Sequence, residues 1–280
     1  MAAGSGNLIW IASYPKSGNT WMRMFLANYM APRSDGQPFR LTDLGATSSS
    51  DARVRDISRA VGQDCHEMAP EELYRGRQRH LEILSASEKP TLLKTHMPNA
   101  ILFGMSLIPA ELSRCAIYIV RNPLDIVPSY AHYMELDIER SVELLASSKN
   151  WTRGNERQIT QMVGDWSMHV RSWLSVDDFP VLVVRYEDLI DDPAKHFANV
   201  VETIGMPLDD AKLNHAIEAS RFDELQAQDK QVGYSGRDVP FFRKGIKGDW
   251  KDTLPEDLSK KVISDHGKVM AFLRYLDGSS

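Results

Sequence analysis

Leu8-Ile9-Trp10-Ile11-Ala12 is an unbroken apolar run, halted by Ser13-Tyr14-Pro15 and followed at once by Lys16-Ser17-Gly18-Asn19-Thr20-Trp21. A run this short and apolar at every position reads as a strand buried on both faces. From residue 20 to 30 the apolar side chains fall at 21, 22, 25, 26 and 29, the spacing of an amphipathic helix. Strand, turn and helix in this order leave unpaired backbone N–H groups and a positive dipole end at the turn. That is an anion site. Gly18 permits close backbone approach, Lys16 adds a full charge, and Ser17 and Thr20 add hydroxyl donors. From this segment alone, an ordinary turn with a surface lysine is the alternative. The pattern GxxxxGK[ST] is absent, because the lysine precedes the only glycine, which argues against an ATPase or GTPase.

Outward from this unit, residues 91–94 (TLLK), 115–120 (CAIYIV) and 181–185 (VLVVR) read as further short strands. Asn122 is a good N-cap with Pro123 at the first helical position, and Pro128 should kink the helix that follows. Helical patterns recur at 193–204 and 209–219. Apolar strands separated by helices predict an α/β fold, a parallel sheet covered on both faces. With no repeat and no long linker, one domain over 7–275 is expected, with 1–6 and 276–280 as flexible termini. The Ser/Asp-rich residues 42–60 read as a mobile loop leading into a helix, and 226–242 as irregular. Lids and disordered segments are the two readings of such stretches.

Composition bounds the rest. At 280 residues a chain buries roughly three-quarters of its unfolded surface, so a sizeable core needs no staples. No apolar run approaches the ~18 residues of a membrane span. The first residues lack a basic region and a long apolar stretch, which predicts no secretory leader. Cys65 and Cys115 form no CxxC and no disulfide framework, which suits a reducing cytosol. The net charge of −5 argues against general nucleic-acid binding and against a polybasic membrane contact. An anionic ligand must therefore meet positive charge gathered locally.

YPKSGNTW (14–21) resembles the 5′-phosphosulfate loop of the cytosolic-type sulfotransferases that use 3′-phosphoadenosine 5′-phosphosulfate (PAPS), which read YPKSGTTW. Asn19 departs from the usual threonine but can still donate a hydrogen bond. Lys94-Thr95-His96-Met97-Pro98 resembles the family's KTH[LM]P element, which implies His96 as general base. Imidazole suits that role near pH 7, whereas a lone histidine at a strand end is more simply structural. The histidines at 66, 80, 132, 169, 196, 215 and 266 have no such setting; only His132 is kept as an acceptor contact. Arg121-Asn122-Pro123-Leu124-Asp125-Ile126-Val127-Pro128-Ser129 resembles RNPxDxxxS, implying that Arg121 and Ser129 hold the 3′-phosphate. Arg243-Lys244-Gly245-Ile246-Lys247-Gly248-Asp249-Trp250-Lys251 matches RKGxxGDWK and implies that Arg243, Lys244 and the Gly245 amide complete that site. Trp21, Tyr186 and the Ser220-Arg221-Phe222 segment match the family's adenine site, implying Ser220 and Phe222 as contacts. Each of these aromatics also has a core or loop reading. Trp166 and Trp173, seven apart on one helical face, are assigned to packing.

The resemblance spans roughly 8–251 and implies a parallel sheet of about five strands, related to the P-loop nucleotide kinases. It implies a cytoplasmic enzyme moving a sulfuryl group from PAPS to a hydroxyl or amine of a small-molecule acceptor. The displacement is in-line, with no metal, nucleic acid or membrane. His96 would deprotonate the acceptor, Lys16 neutralise the leaving phosphate oxygen, and Lys94 contact the sulfuryl group. The amides of Asn19 and Thr20 would add fixed dipoles. Two rivals stand beside it, a small-molecule kinase and a catalytically inactive protein that binds adenosine 3′,5′-bisphosphate (PAP). Residues 31–90 and 135–165 are the expected acceptor loops and match no substrate-specific motif. The opening WIASYPKSGNTW is more like bacterial members, which favours a biosynthetic acceptor. The tail lacks the KxxxTVxxxE dimerisation pattern, which leaves the oligomeric state open.

Overall fold

The structure is a computed structural model and describes residues 6–30, 37–234 and 239–277. Five strands form one sheet: β1 (Leu8–Ser13), β2 (Ser49–Ser50), β3 (Thr91–Thr95), β4 (Ser113–Val120) and β5 (Val181–Arg185). Their spatial order is β2-β3-β1-β4-β5, and every pairing is parallel. Ala12 stands opposite Thr95 on one side and Tyr118 on the other. The carboxyl ends of β1, β3, β4 and β5 therefore share one edge, and the strand order reverses at β1, where such sheets bind ligands.

The helices that position the site are α1 (Asn19–Met30), α2 (Val54–Val61), α3 (Pro123–Met134), α4 (Trp166–Leu174), α5 (Asp210–Ala219) and α6 (Phe222–Val232). β1 is buried at all six positions, because its alternating side chains enter two different cores. Leu8, Trp10 and Ala12 pack with Tyr118, Val120, Trp166 and Trp173 on one face. Ile9 and Ile11 pack with Ile117, Ile119, Met22, Phe25 and Leu26 on the other. Trp166 and Trp173 are fully buried on α4, as their spacing implied. α1 is buried almost all round, because Met24 enters a third cluster with Leu41, Leu44, Leu225 and Phe242. Asn122 caps α3 by accepting from Leu124 N at 3.0 Å, and the helix runs unbroken from Pro123 through Pro128 to Met134.

Two expectations are corrected. The stretch 42–60 does lead into a helix, α2, but what precedes it is short helical turns and the edge strand β2 rather than a loop. Asp51, just past β2, forms a fully buried ion pair with Arg77 at 2.6 Å and accepts the Thr95 hydroxyl at 2.7 Å. An edge held by small hydroxyl residues and an ion pair carries no apolar periodicity. Residues 226–232 belong to α6, which buries only Leu225 and Asp229 and so leaves a faint pattern. Asp229 then accepts from Tyr234 N and Phe242 N at 3.1 and 3.0 Å. The remainder of that stretch includes 235–238, which lie outside the described residues, as do 1–5 and 278–280 of the termini. Gly6 donates to Ser113 O at 3.3 Å. Among the described residues, no helix is long and apolar enough to cross a membrane.

Candidate active site

The turn after β1 holds Lys16 at φ 68° and Gly18 at φ 103°. A Cβ on Gly18 would lie 2.8 Å from Tyr186 Cδ2, so only glycine fits. Lys16 Nζ donates to Phe241 O at 3.0 Å and lies over the rings of Phe241 and Tyr133, at 3.7 and 4.3 Å. Ser17 is fully buried, and its hydroxyl oxygen has no hydrogen-bond partner among the described residues. The Asn19 side-chain amide turns back into the sheet, donating to Ile11 O at 2.8 Å and Ser13 Oγ at 3.3 Å. The side-chain donor expected of Asn19 is thus already used, and only its backbone N–H remains for a ligand at the helix start.

His96 follows β3, and its Nδ1 lies 2.9 Å from Ser13 O. A carbonyl only accepts, so the proton sits on Nδ1 and Nε2 keeps its lone pair. Burial, then the neighbouring Lys94 charge, pushes the imidazole well below its ordinary value. From below, His169 Nε2 donates to His96 O at 3.1 Å while Tyr118 OH donates to His169 Nδ1 at 2.9 Å. Burial lowers His169 to about 4, so it is a neutral brace. Lys94 is 9% exposed, and burial with the Arg23 charge lowers it to about 8.

Across the cleft, Arg121 donates to Lys16 O and Ile246 O, each at 3.1 Å, and its guanidinium lies 4.3 Å from the Tyr186 ring centre. Asp125 accepts from Gly248 N at 2.8 Å and Trp250 N at 3.0 Å. This carboxylate stitches the segment beginning at Arg121 to the one beginning at Arg243. Arg243 and Lys244 both bond Asp249, the latter at 2.6 Å. Burial works upward on the Asp249 carboxyl, but the bonds from Lys244 and Arg243 outweigh it and hold it below its ordinary value. Gly245 sits at φ 67°, and any Cβ there would collide with the Phe222 ring.

Lys16, Gly18, Asn19, Thr20, Trp21, Lys94, His96, Arg121, Ser129, Tyr186, Phe222, Arg243, Lys244 and Gly245 all line one cleft of about 1370 Å³. Trp21 packs edge-on against Tyr186 at 5.6 Å. Ser17 lies beneath the turn rather than at the surface of the cleft. Ser220 is not brought there: it is fully buried and donates to Ala216 O at 2.7 Å within α5. A serine one turn past Ala216 satisfies its hydroxyl on its own helix. His132 also stays outside, with Nε2 2.9 Å from Pro240 O. Among the described residues, eleven lysines and arginines line the cleft against two carboxylates, Glu156 and Asp223. Positive charge is thus gathered locally in a chain whose net charge is −5. Sequence reasoning missed Arg23, Arg53, Arg153 and Arg157; the one signal was Arg23, a charge inside an otherwise apolar helix pattern.

A strand-turn-helix unit at the switch point of a parallel sheet, with a neutral histidine just past the neighbouring strand, frames one positively lined cleft. The chain matches the sulfotransferase domain family over residues 7–272, and it belongs to that family. It is similar to bovine (Bos taurus) sulfotransferase 1A1, 30% identical over 204 residues, a match covering 68% of this chain and 65% of that one. Against mouse (Mus musculus) sulfotransferase 1B1 it is 27% identical over 275 residues, covering 93% and 82%. The fold is shared with retinol dehydratase solved with androsterone and the inactive cofactor PAP, at a TM-score of 0.63 and 16% identity. That likeness covers 94% of this chain and 80% of the other.

Proposed function

We propose that this chain transfers a sulfuryl group from PAPS to a hydroxyl or amine of a small-molecule acceptor by in-line displacement. The observation that carries the reading is convergence: the turn at Lys16, the Arg121–Ser129 segment and the Arg243–Gly245 loop surround one cleft with His96 on its wall. The residues fit a phosphate-rich donor. Arg121 Nε and Arg243 Nε, in side chains that line the cleft, are buried without partners among the described residues, and phosphate oxygens would satisfy them. Retinol dehydratase, of the same fold, was solved with PAP, which supports PAPS as donor here.

In this reading His96 Nε2 takes the acceptor proton while its Nδ1–H stays on Ser13 O. Lys16 meets charge on the leaving phosphate oxygen, Lys94 contacts the sulfuryl group, and the N–H groups of Asn19 and Thr20 add fixed dipoles. Arg121, Ser129, Arg243, Lys244 and the Gly245 amide hold the 3′-phosphate; Trp21, Tyr186 and Phe222 contact the adenine. These residues supply the positive charge themselves, so the reaction is read as metal-independent. Two buried free cysteines suit a reducing compartment and support a cytoplasmic location. The unit is read as one domain over 7–275 acting on small molecules, not on nucleic acid or membrane. The test is transfer of labelled sulfate from PAPS to an acceptor pool in EDTA. Undiminished transfer is expected; dependence on ATP and Mg²⁺ would point to the kinase, and PAP binding without transfer to the inactive protein.

A further inference from the structure

The cleft does not stop at His96. The donor residues stand on β1, β4, β5 and the loops beyond them, His96 stands after β3, and next outward comes β2. On that far side the wall is formed by Lys94, Arg23 and Arg53, closed by the 153–158 turn that bears Arg153 and Arg157. Backbone bonds fix this turn: Val54 N donates to Arg157 O at 3.0 Å and Ile159 N to Ala52 O at 2.9 Å. Asn155 Oδ1 accepts from Arg157 N and Gln158 N at 2.8 and 3.0 Å. The arginines are therefore delivered by ordered backbone.

Their charge is poorly matched. Arg23 is 7% exposed, donates to Ser48 Oγ at 2.8 Å and meets Tyr234, but has no carboxylate partner among the described residues. The carboxylate nearest Lys94 in effect, Asp51, is already engaged by Arg77 and Thr95. Arg53 and Arg55 share the single Asp56. A buried cation without counter-charge, as Arg23 is, is costly, and a neutral acceptor would leave it so. The donor, met in this reading by Lys16, Lys94, Arg121, Arg243 and Lys244, does not account for Arg23, Arg53 or Arg157. Arginine forks match phosphate and carboxylate oxygens two at a time.

We infer that the acceptor is a hydroxylated small molecule carrying its own anionic group, phosphate or carboxylate, received by Arg23, Arg53 and Arg157. The inference rests on the sulfotransferase reading above. The test is calorimetry on the PAP-saturated protein with three matched probes: glucose, glucuronate and glucose 6-phosphate. At least one anionic probe should bind tenfold or more tightly than glucose, and the better of the two separates carboxylate from phosphate. Arg157→Ala, at an exposed position, and Arg53→Gln should each weaken that anion fivefold or more while leaving PAP affinity unchanged. Equal or absent binding of all three probes, or anion binding unaffected by both variants, overturns the inference alone. Failure of the wild-type protein to bind PAP would instead overturn the sulfotransferase reading, and the acceptor class with it.

Discussion

His96 Nδ1 lies 2.9 Å from the carbonyl oxygen of Ser13, the last residue of β1. The bond joins the residue after one strand to the end of its neighbour, so the imidazole is held by the sheet itself. It also selects the tautomer, leaving Nε2 as the only basic nitrogen. His169, braced by Tyr118, holds the His96 carbonyl from the opposite side.

From that arrangement, His96→Ala should lower kcat a hundredfold or more, within the usual range for loss of a general base. PAP affinity should stay within threefold, because the base acts on the acceptor and not on the nucleotide. Turnover assays and calorimetry with PAP check both halves. Activity within threefold of wild type removes His96 from the mechanism.

The pH profile should be one-sided. Burial, with help from Lys94, holds His96 far below its ordinary value, so kcat/KM should not fall between pH 7.5 and about 6. Lys94 loses its proton at about 8, so kcat/KM should decline above that pH. Lys94→Arg should remove the alkaline decline, as guanidinium stays charged. The same shift bears on stability: Lys94 releases its proton at about 8 when folded and near 10.5 when unfolded. Between those values the unfolded chain binds more protons, so this group favours folding increasingly from pH 8 to 10.5. A rate that climbs from pH 6 to 7.5 would mean that His96 titrates normally.

Nucleotide selectivity tests the convergence of Arg121 and Ser129 with Arg243 and Lys244. PAP should bind at least tenfold more tightly than AMP or ADP, about 1.4 kcal/mol or more. Asp249 already pairs with Arg243 and Lys244, which keeps their charge from being stranded when no 3′-phosphate is present. Arg243→Ala should collapse most of the ratio, whereas Lys16→Ala should weaken both ligands and leave the ratio largely unchanged. Equal affinity for AMP and PAP in the wild-type protein would sink the donor assignment and revive the kinase.

Asp125 is 1% exposed and accepts two backbone N–H groups from the Gly248–Trp250 turn. Asp125→Ala should strand both donors, costing about 2–4 kcal/mol of stability by chemical denaturation, and should weaken PAP tenfold or more. Asp125→Asn keeps one acceptor and should fall between the two. PAP affinity unchanged in Asp125→Ala would mean that the Arg243 loop reaches the cleft without this tether.

Much of this molecule is legible in one dimension. Leu8–Ala12 alternates between two cores, so each of its positions must be apolar, and the run announces a parallel sheet. The turn at Lys16–Trp21 is equally plain, because Gly18 must pass Tyr186 with no Cβ and the anion site is built from consecutive residues. Other features leave little trace. The edge strand Ser49–Ser50 is held by hydroxyls and the Asp51–Arg77 pair, and α6 buries only two side chains. Ser220 shares a segment with Phe222, yet its hydroxyl turns onto its own helix while Phe222 reaches the cleft. The sequence alone determined the fold class and the residues of the donor turn, since those depend on short-range pattern. Only the tertiary structure decided that Arg23, Arg53 and Arg157 line one cleft with His96. They come from three separate elements, and a charge cluster assembled by strand order and a pinned turn has no local spacing to betray it.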